Sequence, residues 1–259
     1  MEWIKGIVGL LGAGALWELF KFIYPDLKKL FGNKSDGKKI LYRNINPILK
    51  SADELLGKIH SLARSDFKSL RDETEREEHD LIYVMYLFSN FWGRLMILRL
   101  ESDYTTLSQI EKGRELLKFV TTYEARKNRI IDRSLQRTFG ESLIINQGEF
   151  HRLKTLYEFT IEYKDENSGI KEIFKPLREL LENTGPLETR QKILQFGIII
   201  HALIDHFDPK HKIIRDRKSY EYKLNTKTRR ELQKRVFKHY LPFVLHHNKY
   251  YIKKKARQE

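Results

Sequence analysis

From Trp3 to Tyr24 the chain reads WIKGIVGLLGAGALWELFKFIY, with no charge between Gly6 and Trp17. Ile4 to Ile23 reaches the roughly 20 apolar residues needed to cross a hydrocarbon layer, provided Lys5, Glu18 and Lys21 are carried along. Lys5 and Lys21 lie near the ends, where their stems can snorkel, and Lys21 sits one turn from Glu18. Trp3, Trp17 and Tyr24 suit the two interfaces. The pattern predicts a membrane anchor over residues 1–25. A buried core helix is the plain alternative. An in-plane amphipathic helix lacks a polar face here, and no small-x-small site marks a cleaved signal. Gly6, Gly9, Gly12 and Gly14 enrich the segment in small residues, and Gly9 with Ala13 allows close helix–helix approach and a homo-oligomer. The common use of glycine in membrane helices explains the same residues without self-association.

Residues 26–39 read as a linker, because Gly32–Lys39 (GNKSDGKK) is polar and glycine-bearing. Lys28, Lys29, Lys34, Lys38, Lys39 and Arg43 follow the anchor and place the remaining chain in the cytoplasm by the positive-inside bias. A core domain is expected over 40–209. Asn46 can cap a helix with Pro47 at its first position, and Ile48, Ala52, Leu55, Ile59 and Leu62 then form one apolar seam. Thr74 and Glu77 have capping-box spacing before the next helix. That helix holds LIYVMYLFSNFWGRLMILRL, residues 81–100, apolar on all sides except for Ser89, Asn90, Arg94 and Arg99. A second membrane span would put Arg94 in hydrocarbon at a cost of about 2.5–3.5 kcal/mol, so a central core helix is the preferred reading. Further helices are expected at 106–126, 147–163, 170–183 and 187–207, and no stretch alternates like a half-buried strand. Thr228 and Glu231 open a last helix ending before Pro242. The fold class is all-α: an N-terminal membrane helix, an irregular helical bundle and a basic C-terminal helix.

LYRNINPILKSADELLGKIHSL, YVMYLFSNFWGRLMILRLESDY, RTFGESLIINQGEFHRLKTL and HALIDHFDP follow the N-terminal segment in that order. The arrangement resembles an uncharacterised group of bacterial membrane-anchored helical proteins over roughly residues 5–209. The resemblance implies an architecture and no activity.

Charge changes the picture at one end of the chain. Of 49 basic and 35 acidic residues, 17 basic and four acidic ones lie in 210–259. Residues 1–209 are therefore almost neutral, and the last fifth carries nearly all of the +14 net charge. Such a concentration attracts polyanions. Tyr220, Tyr222, Tyr240, Tyr250 and Tyr251 are interleaved with the cations, as expected where rings stack on bases and cations neutralise phosphates. The same mixture suits anionic lipid headgroups, and a solvated cationic terminus with packing tyrosines is the plain alternative. Candidate contacts to nucleic acid or anionic lipid are Arg229, Arg230, Lys234, Arg235, Lys238, Tyr240, Lys253, Lys254 and Lys255, with Arg230, Lys234 and Lys238 off the apolar face.

No reaction is legible. Cysteine is absent, which excludes disulfides and thiolate sites. There is no HExxH, Walker loop, GxGxxG or GxSxG, and no Arg is followed five to seven positions later by His. His201 and Asp205 share a helix face, but two ligands fall short of a zinc site, so packing is their expected role and no catalytic residue, metal or cofactor is assigned. The reading leans away from an enzyme. It is a membrane-anchored cytoplasmic protein binding single-stranded RNA or DNA through 210–259, a design that would suit phage defence. The alternative is an effector that oligomerises through glycine-rich helices and perturbs the bilayer.

Overall fold

The computed structural model describes the backbone of residues 13–71, 75–102, 104–148 and 150–252, and the side chains from residue 35 onward except at 75–77, 104 and 150. Trp3, Gly6, Gly9 and the three lysines 253–255 lie outside the described residues. So does Thr74 of the expected capping box, and the side chains of Ala13 and Trp17 are likewise not described.

Helix α1 runs from Ala13 to Arg64 without a break. The stretch expected as a linker is therefore helical, and Asn46–Pro47 lies inside the helix instead of opening one. Proline in a helix interior removes one hydrogen bond and costs ~3 kcal/mol. Here the chain continues because Leu41, Ile45, Ile48, Leu49, Ala52, Leu55, Leu56 and Ile59 are all buried on one seam that spans the proline. Packing of that face against two other helices overrides the local break.

Those partners are α2 (Glu75–Glu101) and α8 (Leu187–Phe207). Helix α2 is long and apolar enough to cross a membrane, yet 83% of its apolar window is buried inside the protein. Phe88, Phe91 and Trp92 meet Phe196 of α8 at ring separations of 5.9, 6.2 and 6.4 Å. Its arginines are handled differently. Arg99 pairs with Glu124, which also binds Arg137 at 3.2 Å. Arg94 is half-buried; burial pushes its guanidinium pKa down, opposed by Tyr86 and by Glu54 of α1.

Short helices close the sides: α3 (Tyr104–Ser108), α4 (Glu111–Glu124), α5 (Arg133–Ser142), α6 (Leu156–Lys164) and α7 (Ile170–Glu182). The pattern gave α3 and α4 as one helix and did not give α5, which is capped by the Asp132 carboxylate accepting from Ser134 N–H. Helix α5 crosses α2 at contact distance: a Cβ on Gly140 would lie 2.9 Å from Gly93 N.

The expected helix at 147–163 is corrected. Strands β1 (Ile144–Gln147) and β2 (Phe150–Leu153) pair antiparallel, Ile144 opposite Leu153. Gly148 turns the chain with φ 63°. Helix α6 begins only after Thr155, whose hydroxyl accepts from Glu158 N–H while the Glu158 carboxylate accepts from Thr155 N–H. That capping box fixes the helix start.

Beyond α8 the chain packs back onto the same core. Ile214, Tyr220, Leu224, Leu232, Val236, Phe237, Leu241, Val244, Tyr250 and Tyr251 are all buried with it. Helix α9 (Thr226–Glu231) starts at Asn225, whose side chain accepts from Thr228 N–H. Asn225 is therefore the cap expected at Thr228. From Leu232 to Tyr240 α9 continues as a wider π-helix with i→i+5 bonding, so that α9 with this extension covers 226–240.

Candidate functional site

The outer face of α9 and its π-helical extension carries the expected cations. Leu232, Val236 and Phe237 face the core, leaving Arg230, Lys234 and Lys238 exposed. None of these three is in an ion pair among the described residues, so each charge is presented to solvent. Their neighbours are engaged. Arg235 pairs with Glu231 at 2.8 Å, and Arg229 donates to the Glu221 carbonyl at 2.8 Å. Tyr240 is half-buried against the core. The structure thus divides the candidates into three free cations and three structural side chains.

A concavity of about 510 Å³ adjoins this face. Arg126, Lys127 and Arg129 approach it from the loop after α4, Lys192 from α8, and Lys227 and Arg235 from α9. Glu188 and Glu231 offset part of the charge. Its floor is a polar network that fixes the loops. Gln195 donates to Asn128 Oδ1 at 3.2 Å, and Gln191 bridges the Lys223 carbonyl and Asn225 N–H, both at 2.9 Å.

The tyrosines do not form the expected stacking platform. Tyr220, Tyr250 and Tyr251 are 1–3% exposed, and of the C-terminal set Tyr222 alone is mostly open, at 56%. Phe237 stacks on His247, Tyr250 and Tyr251 with ring planes 5°, 15° and 27° apart. These rings hold the segment together and are not available to bases.

His201 and Asp205 do share a face, with Nε2 and Oδ1 3.7 Å apart, too far for a hydrogen bond. Asp205 is instead the hub for the C-terminal segment. The Tyr250 hydroxyl donates to Oδ2 at 2.7 Å, Lys249 pairs with the same oxygen, and His211 Nε2 lies 3.6 Å from Oδ1. Burial first, then the Asp205 charge and its hydrogen bond, push the Tyr250 phenol far up. His206 faces Glu115 at 2.9 Å and Lys112 at 3.1 Å through one nitrogen, which can donate to the first or accept from the second but not both. Among the described residues no group of three or more His, Asp or Glu is arranged to hold a metal ion.

A second concavity, of about 540 Å³, lies on α1. Gly57, His60, Ser61 and Arg64 form one stripe at i, i+3, i+4 and i+7, and Arg215–Lys218 runs opposite. The sequence pattern did not single out these residues. The stripe was a visible signal, but the facing segment is brought there only by the fold.

The arrangement defines a helical protein with two basic concavities and a free cationic row on one helix. No protein-family model, curated protein or solved structure matches the chain, so its function is argued from these residues.

Proposed function

We propose that this is a membrane-anchored protein that binds nucleic acid by its phosphate backbone, through the outer face of α9 and the concavity beside it. The observation that carries the reading is the exposed row of Arg230, Lys234 and Lys238, unpaired among the described residues and flanked by Lys227 and Arg235. Free cations gain most from a polyanion, because each neutralised phosphate releases condensed counterions. The burial of Tyr220, Tyr250 and Tyr251 favours backbone contacts over base stacking, and hence weak sequence preference. The anchor rests on the apolar run at the N-terminus.

The test is binding of a labelled single-stranded oligonucleotide to the full chain in detergent, across a salt series. Affinity should fall steeply with salt. Combined Arg230→Glu, Lys234→Glu and Lys238→Glu should lower the log–log salt slope by about 2, at roughly 0.7 per lost single-strand contact. An unchanged slope would exclude this face. Preference for anionic vesicles over the oligonucleotide would reassign it to lipid headgroups. A chain released from membranes by high salt alone would remove the anchor.

A further inference from the structure

The groove on α1 has features that the nucleic-acid reading does not use. Its far wall is a built loop. The Asp208 carboxylate accepts from the backbone N–H groups of Lys212, Ile213 and Ile214 at 2.8–2.9 Å, which clamps the start of the segment. Ile214 then plugs into the core. Tyr220 anchors the end, its hydroxyl donating to the Leu194 carbonyl at 2.9 Å. Between these anchors Arg217 binds Asp53 and lies flat on α1 over Gly57, where an added Cβ would meet the guanidinium at 3.0–3.2 Å.

Three further cations converge on the groove. Arg64, Arg215 and Lys218 are exposed, and none is in an ion pair among the described residues. Among the described residues Asp216 is the single acid in the lining, 77% exposed and 3.6 Å from His211. His60 forms the inner end, with its ring edge-on to Tyr220 at 4.6 Å and its Nε2 buried without a partner. Burial, with His201, Arg217 and Arg64 nearby, pushes its pKa down to about 4. The imidazole is neutral at pH 7 and can accept or donate a hydrogen bond without adding charge.

We propose that this groove, lined by His60, Ser61, Arg64, Arg215, Arg217 and Lys218, binds the phosphate group of a small phosphorylated ligand. Arginine forks match phosphate oxygens bidentately, and Ser61 adds a hydroxyl donor. The volume lies in the range of small-molecule sites, roughly 300–1,000 Å³. From Gly57 to Arg64 the α1 stripe rises seven steps, about 10 Å at 1.5 Å per residue, the reach of one phosphorylated molecule. This site is independent of the row on α9.

The probes are inorganic phosphate and adenosine monophosphate, each titrated into the full chain in detergent at constant ionic strength while Tm is followed. Both should raise Tm saturably, as a ligand that binds only the folded state must. A similar apparent affinity for both assigns the site to a bare phosphate group. At least tenfold tighter binding of the nucleotide assigns it to a nucleoside phosphate. Arg64→Ala with Arg215→Ala should weaken either probe at least tenfold and leave the ligand-free Tm unchanged, since both side chains are exposed. The triple charge reversal on α9 should leave phosphate binding intact. No saturable shift with either probe, or an equal shift in the double variant, overturns the proposal. Displacement of phosphate by an oligonucleotide would give the groove to the polymer and overturn it as well.

Discussion

Helix α8 and the segment after it, Lys210–Ile252, are opposite in composition and alike in burial. From Ile193 to Ile204 α8 is buried at every position, and its sequence is nearly all apolar. The later segment is dense in Lys and Arg, yet Ile214, Tyr220, Leu224, Leu232, Val236, Phe237 and Tyr250 reach the same core. Sparse apolar anchors are enough to fold a strongly cationic chain, provided the cations point outward. Among the described residues, the charge after residue 209 is therefore carried on structural framework. The two regions are joined at Asp205, which binds Tyr250 and Lys249, and at Leu194, whose carbonyl accepts from the Tyr220 hydroxyl.

The sharpest way to break that junction is Gly197→Ala. The new Cβ would run into the Tyr220 hydroxyl, so the ring must leave its seat and give up its bond to Leu194. Overpacking and the lost hydrogen bond together should cost about 3 kcal/mol. Denaturant unfolding should show a lower midpoint at unchanged m, and a variant as stable as the parent would mean that Tyr220 is not wedged there. Tyr250→Phe is gentler. It leaves the packing and removes one donor from Asp205, which keeps Lys249, so a loss of about 1–2 kcal/mol is expected in the same measurement.

Acid should act on the same junction. Burial lowers the pKa of His60 to about 4 and also lowers that of His201, with Asp205 opposing the shift of the latter. Unfolded histidines bind protons near pH 6.5, whereas these two stay neutral when folded. The contribution of His60 to stability is fully present above about 6.5 and is lost as pH falls from there toward about 4, and that of His201 is lost in the same direction. Urea midpoints should decline between pH 7 and 5, and His60→Gln should flatten the decline. A wild-type profile that is level over that range would mean the rings are charged in the fold. The smallest effect belongs to the outer face. Arg230→Glu, Lys234→Glu or Lys238→Glu should each change stability by less than about 0.5 kcal/mol, with the consequence confined to polyanion binding. A larger loss from any of them would erase the contrast between framework and face.

Much of the helical content was legible because the signals were local and strong. The seam from Ile48 to Leu62, the limits of α7 and α8, and the all-round apolar α2 follow from periodicity and from Pro186 and Pro209. The outward placement of Arg230, Lys234 and Lys238 was legible for the same reason. Where reading failed, two local signals competed. Pro47 and the Gly32–Lys39 stretch read as breaks, but the helix runs through both. Gly148 and the Thr155–Glu158 capping box were both present in the sequence, and together they leave room before α6 for a hairpin and not for another helical turn.

The sequence by itself determined the helical class, the buried character of α2 and α8, and the concentration of positive charge after residue 209, because each depends on composition or spacing within one segment. The tertiary structure alone decided which charges are free. Arg235 and Glu231 could be paired from their spacing of four. Nothing local says that Arg217 meets Asp53, that Tyr220 and Tyr250 are buried, or that Arg64 and Arg215 face one groove. Those facts join residues up to 164 positions apart, and contacts at that range are chosen by how the whole core packs.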